Sequence, residues 1–123
     1  METNQRYCLT LDLQDNPALI EEYKHWHKPE YIWPEIPDGI RSAGINNMQI
    51  YLLGTRMFMI IETGPGFNFE KDMERLSTMP RQKEWEEFVS RFQKTSADAR
   101  SSEKWKLMEM IFELDPGSGK VDP

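Results

Sequence analysis

Two histidines, His25 and His27, stand in the run Glu21-Glu22-Tyr23-Lys24-His25-Trp26-His27, and imidazole is the side chain best suited to moving a proton near neutral pH. At about 100 degrees per helical residue, Leu19, Ile20, Tyr23, Trp26 and His27 share roughly one third of the circumference, while His25 points almost directly away. His27 is therefore expected on the apolar side and His25 in water. Tyr23 lies one turn before His27, so a hydroxyl and an imidazole can line the same wall. Two half-buried core side chains at a helix end would show the same spacing.

Trp26, Tyr31, Trp33 and Trp85 offer flat surfaces that pack against the C–H faces of sugar rings and equally well fill cores. Trp33 differs in its setting, a loop crowded with Pro29, Pro34 and Pro37, and rigid surface loops often carry binding groups. Other chemistries find no support. No metal site is expected, because helical spacing separates His25 from His27 by about 200 degrees and one distant cysteine adds little. Gly64-Pro65-Gly66 lacks the remaining glycines and the lysine of a phosphate loop and reads as a turn. There is no serine elbow and no paired-cysteine motif, so neither covalent hydrolysis nor redox catalysis is indicated.

The 123 residues suit one domain. Fifteen Lys and Arg against 21 Asp and Glu give a net charge of -6, which disfavours nucleic acid and anionic membranes and leaves a neutral ligand unaffected. The single cysteine, Cys8, and an N-terminus without the apolar core of a signal peptide point to a cytoplasmic setting. The longest apolar run, Met57 to Ile61, is far short of the roughly 20 residues that span a bilayer.

The elements that must position these side chains can be read from periodicity. Tyr7, Leu9, Leu11 and Leu13 alternate with Cys8, Thr10, Asp12 and Gln14, which predicts a strand with one buried face. Asn16 and Pro17 are start signals for a helix, which Pro29 should end near Lys28. The loop 29–37 leads to a short helix, 38–43, closed at Gly44. Strands 45–53 and 57–62 flank a Gly54-Thr55-Arg56 hairpin. Asn68 can cap a helix over 69–77, and Pro80 can start another with the stripe Trp85, Phe88, Val89 and Phe92. A loop, 95–102, precedes a last strand over 105–114, a run whose composition would also permit a helix, and residues 115–123 are expected to be a disordered tail outside a single domain of 1–114. The order strand, helix, strand, strand, helix, strand predicts an α+β, ferredoxin-like βαββαβ sheet. Helices on one face leave the other bare, and that face should be a ligand cavity, a dimer interface, or both.

Glu21 to His27, then Ile32-Trp33-Pro34-Glu35-Ile36, Gly44 and Ile50-Tyr51-Leu52, together resemble the L-rhamnose mutarotase family, which includes L-fucose mutarotases. The resemblance runs from about Arg6 to Leu114 and is most specific between Tyr23 and Glu35. It implies a homodimeric α/β barrel, a sugar substrate, no cofactor, a proton-donating role for His27 and sugar contact by Tyr23. Trp33, Met48, Glu84 and Trp85 are the further substrate-binding candidates. Met48 stands where rhamnose enzymes carry a tyrosine, Glu84-Trp85 where they carry adjacent tryptophans, and Glu30-Tyr31 is an insertion. These departures leave L-rhamnose and L-fucose both open. Anomer interconversion requires ring opening, with a proton placed on the ring oxygen as one leaves the anomeric hydroxyl; Glu35, Asp12, Glu84 or a bound water could be the complementary base. A non-catalytic ligand-binding barrel and a cofactor-free monooxygenase would share this fold.

Overall fold

The computed structural model describes residues 4–95, 99 and 101–114. The elements run β1 (Gln5–Asp12), α1 (Pro17–Trp26), α2 (Glu35–Ser42), β2 (Ile45–Leu53), β3 (Arg56–Thr63), α3 (Phe69–Leu76), α4 (Gln82–Ser90), α5 (Ser101–Lys104) and β4 (Lys106–Leu107). The strands form one antiparallel sheet in the order β2-β3-β1-β4, the ferredoxin-like arrangement expected from the element order. The expected tail, 115–123, lies outside the described residues.

Leu9 and Leu11 of β1 and Met57, Met59 and Ile61 of β3 point to the helices and form the core with Ile36, Leu76, Trp85 and Phe92. The alternating pattern of β1 is thus explained by one covered face. Cys8, Phe58 and Ile60 occupy the opposite face, half-buried and outside this core, and Tyr51 beside them is 56% exposed.

Local chemistry sets the helix ends. The Asn16 side chain accepts a hydrogen bond from the Leu19 amide at 3.1 Å, and Pro17 occupies the first turn. α1 stops at Trp26 with His27 as its cap, slightly earlier than expected, because Pro29 disfavours helical backbone at Lys28. The amides of Tyr31 and Ile32 both bond the Lys28 carbonyl, so the chain turns tightly there. α2 begins at Glu35, before the expected Asp38, since Pro37 falls in the first turn where its missing N–H costs nothing. Gly44, at φ +100°, ends that helix, and Gly54, at φ +62°, makes the two-residue hairpin turn with Thr55.

The largest departure lies at the C-terminal end. In place of a strand over 105–114, only Lys106 and Leu107 pair with β1, and the Met108 amide adds a bond to the Cys8 carbonyl. Trp105 is buried and draws the chain into the core, whereas the arm beyond it finds no covering surface: Ile111 is 89% and Phe112 76% exposed. Part of the expected loop before it is the single helical turn α5.

Candidate functional site

The site is built on the last turn of α1. His27 and Tyr23, four residues apart on one helix face, place their ring centroids 4.2 Å from each other. His27 Nδ1 lies 2.8 Å from the Tyr23 carbonyl oxygen. A carbonyl only accepts, so Nδ1 carries the hydrogen and donates, and neutral His27 presents Nε2 as an acceptor. Burial holds the His27 pKa below its ordinary 6.5, and the bond to Tyr23 offsets this only in part. Burial also pushes the Tyr23 hydroxyl up to about 12, against the opposing effect of its bond from Gln93, so the phenol keeps its proton.

Trp85, from the buried face of α4, meets the His27 ring edge-on at 5.3 Å. Between these side chains and the apolar sheet face lies a cavity of about 90 Å³, lined by Tyr23, His27, Met48, Gln82, Trp85 and Gln93 with aliphatic neighbours. A more open space of about 390 Å³ shares His27, Ile32, Ile40, Met48 and Ile50 with it and adds Arg41, Asn46 and Asn47. That volume falls within the roughly 300–1,000 Å³ usual for small-molecule sites. A one-residue register shift between Ile45 and Asn47 breaks the β2 ladder there and marks a bulge beside the opening. The cavity thus sits on the helix side of the sheet, so the bare face does not wall this site.

The structure gathers four of the six expected site residues, His27, Tyr23, Met48 and Trp85, around one space. Trp33 stands one layer behind, packed on Trp85 at 5.2 Å with the Arg81 guanidinium 4.1 Å above its ring. Glu84 is turned to solvent, since neighbouring helical positions diverge by about 100 degrees from inward-facing Trp85; its side chain is 64% exposed and pairs with Arg81 at 3.3 Å. Among the suggested bases, Asp12 is paired with Arg56 and Glu35 with Arg81, and neither lines the cavity. His25 points away from the cavity as expected, though it stacks on Tyr31 at 4.2 Å and is half-buried, not free in water.

A buried polar network behind the cavity was not anticipated from the sequence. Lys104 Nζ donates to Gln93 Oε1 at 2.7 Å, to Ser90 Oγ at 3.1 Å and to the Glu86 carbonyl at 3.0 Å. Gln93 Nε2 in turn donates to the Tyr23 hydroxyl at 3.2 Å, and Gln82 Nε2 donates to Glu86 Oε2 at 2.8 Å. Burial brings the Lys104 pKa down to about 8, with the Glu86 charge working in the other direction. Among the described residues, no three His, Cys, Asp or Glu side chains converge as metal ligands, and no helix is long and apolar enough to cross a membrane.

The family model for L-rhamnose mutarotase matches residues 6–114. An L-fucose mutarotase of Xanthomonas campestris is 36% identical over 110 residues, 89% of this chain and 88% of that protein. An L-rhamnose mutarotase of Burkholderia ambifaria is 30% identical over 79% of this chain and 88% of its own. Among solved structures, the L-rhamnose mutarotase FA22100 of Formosa agariphila superposes with a TM-score of 0.67 at 15% identity, over 90% of this chain and 99% of that one.

Proposed function

The chain belongs to the L-rhamnose mutarotase family, and on that premise we propose that His27 moves the proton as this isomerase interconverts the α and β anomers of a 6-deoxy-L-hexose. The observation that carries the assignment is the Nδ1 bond to the Tyr23 carbonyl, which leaves Nε2 as the one ring nitrogen free to exchange protons on the cavity wall. Because burial favours the neutral ring, Nε2 first accepts the proton of the anomeric hydroxyl. The oxygen's electron pair forms the carbonyl, the bond from the anomeric carbon to the ring oxygen breaks, and the ring oxygen takes a proton from a water molecule. After rotation that hydroxyl attacks the other carbonyl face and gives its proton back to the resulting hydroxide, while the imidazolium returns its own proton to the new anomeric oxygen. The notion of His27 as a donor therefore applies to the second half of the cycle. The Tyr23 hydroxyl, held by Gln93, donates a hydrogen bond to a sugar oxygen, and Trp85 offers its surface to the C–H face of the ring.

Met48 takes an apolar place in the wall, and Trp33 supports Trp85 from behind. Relatives named for L-fucose and for L-rhamnose both match over most of the chain, which supports a 6-deoxy sugar and favours neither the non-catalytic barrel nor the monooxygenase. A second copy of the chain is the macromolecular partner we assign, supported by the bare sheet face at Tyr51 and the exposed arm. The half-buried, single Cys8 supports a reducing, cytoplasmic setting.

Anomer exchange of L-rhamnose, L-fucose and D-glucose, followed by NMR, tests the assignment. Wild type should exchange one or both 6-deoxy sugars well above buffer, and His27→Ala should lose roughly a hundred- to ten-thousand-fold. Undiminished exchange in the variant would remove His27 from the reaction. His25→Ala, which disturbs ring contacts with Tyr31 and Trp26 outside the cavity, should leave the rate within about two-fold.

A further inference from the structure

We propose that Gln82 is a specificity-determining residue whose side-chain carbonyl oxygen accepts a hydrogen bond from one sugar hydroxyl, its amide locked in that orientation by Glu86. Gln82 is 4% exposed, lines the cavity, and its Oε1 is buried without a hydrogen-bond partner. An unpaired buried carbonyl is costly, and such groups persist where a ligand completes them.

The orientation of the amide follows from its neighbour. Gln82 Nε2 donates to Glu86 Oε2 at 2.8 Å, and a carboxylate only accepts. Turning the amide over would set Oε1 against the carboxylate oxygen and break that bond. The oxygen is therefore held away from Glu86, on a side chain that lines the cavity.

The opposite polarity is fixed in the same way on the other side of the network. The Lys104 ammonium, which only donates, holds Gln93 Oε1 at 2.7 Å, so Gln93 must turn its Nε2 to the Tyr23 hydroxyl. The phenol accepts that bond and keeps its own hydrogen for the cavity. Two glutamines, oriented by a buried anion and a buried cation, thus give the pocket one fixed acceptor at Gln82 and one fixed donor at Tyr23. A sugar fits only in poses that place a hydroxyl hydrogen at the first and an oxygen at the second. Sites built to hydrogen-bond a hydroxyl discriminate sharply against analogues that lack it.

This inference rests on the sugar-isomerase reading, and its test separates the two. KM and kcat are measured by NMR exchange, and affinity by tryptophan fluorescence, for wild type, Gln82→Met and Gln82→Glu with L-fucose, L-rhamnose and their monodeoxy analogues. Gln82→Met should raise KM about 10- to 100-fold with kcat within about two-fold, the loss expected for one buried hydrogen bond. Gln82→Glu, which sets a second carboxylate oxygen against Glu86 as turning the amide over would, should bind every sugar no better than Gln82→Met, and wild-type affinity in it would overturn the locking by Glu86. For one monodeoxy sugar, wild type should weaken to the level of Gln82→Met, and the variant should lose nothing further. Equal affinities of wild type and a folded Gln82→Met for every sugar would overturn the proposal while leaving catalysis standing. If wild type binds sugars without exchanging them, catalysis falls and the affinities alone decide on Gln82. Should Gln82→Met fail to fold, the analogues with wild type decide: no single hydroxyl whose removal weakens binding overturns the assignment, as does wild type that binds no sugar.

Discussion

His27 combines a depressed pKa with one free ring nitrogen, and both properties have measurable consequences. A group that first accepts a proton works only when neutral, so exchange should be flat at neutral pH and above and fall on acidification, with an apparent midpoint below 6.5. A rate that instead rose towards acid would make the imidazolium the starting form. Stability follows the same sign: the unfolded chain binds this proton near 6.5 and the folded chain only at lower pH. The His27 contribution is whole above 6.5 and is lost as pH falls from there towards the folded value; in urea titrations at a series of pH values, His27→Gln should remove that part of the decline. His27 and Tyr23 were legible in the sequence because one helical turn relates them. Gln82, Gln93 and Lys104 were not, since polar side chains on a helix ordinarily mark its wet face. The available signal was the line 82, 86, 90, 93 running at helical spacing beside the apolar Trp85 and Val89. No local rule pairs that line with Lys104, which reaches it from a separate turn.

Caps and glycines carry the elements that hold the wall in place. Asn16→Ala removes the acceptor that starts α1 and should cost about 1 kcal/mol in urea unfolding. Gly44→Ala meets the obstacle of a φ of +100°, while the Phe67 ring, 3.4 Å from the new Cβ, would only touch it. It should destabilise by about 1–2 kcal/mol or more, the cost of left-handed backbone for a residue with a side chain. A melting temperature unchanged by this substitution would show that the α2–β2 turn readily relaxes. These boundaries were legible because Asn, Pro and Gly act through their immediate neighbours. The last strand was read too long for a related reason: the run Trp105 to Leu114 is apolar enough for a strand, but pairing depends on what lies beside it. Similarly, the side of the sheet on which the cavity forms is decided by how α1, α2 and α4 pack, which no single stretch of sequence encodes.

At the scale of the whole molecule, an apolar arm and a half-bare sheet leave large hydrophobic side chains exposed, the surface on which the proposed second copy would sit. The proposed second copy should therefore appear in sedimentation, with wild type running as a pair and Phe112→Asp, which puts a charge on the arm, running as a single chain. Identical sedimentation of the two proteins would exclude the arm from the contact. The arm also divides the methionines into two populations. Met57, Met59 and Met73 are enclosed, whereas Met108 and Met110 lie in the open. Peroxide converts an accessible thioether into a polar, chiral sulfoxide and leaves enclosed ones intact for longer. Ageing in air should therefore mark the arm before it reaches the pocket, so that a stored sample loses its ability to associate while the chemistry at His27 is still whole.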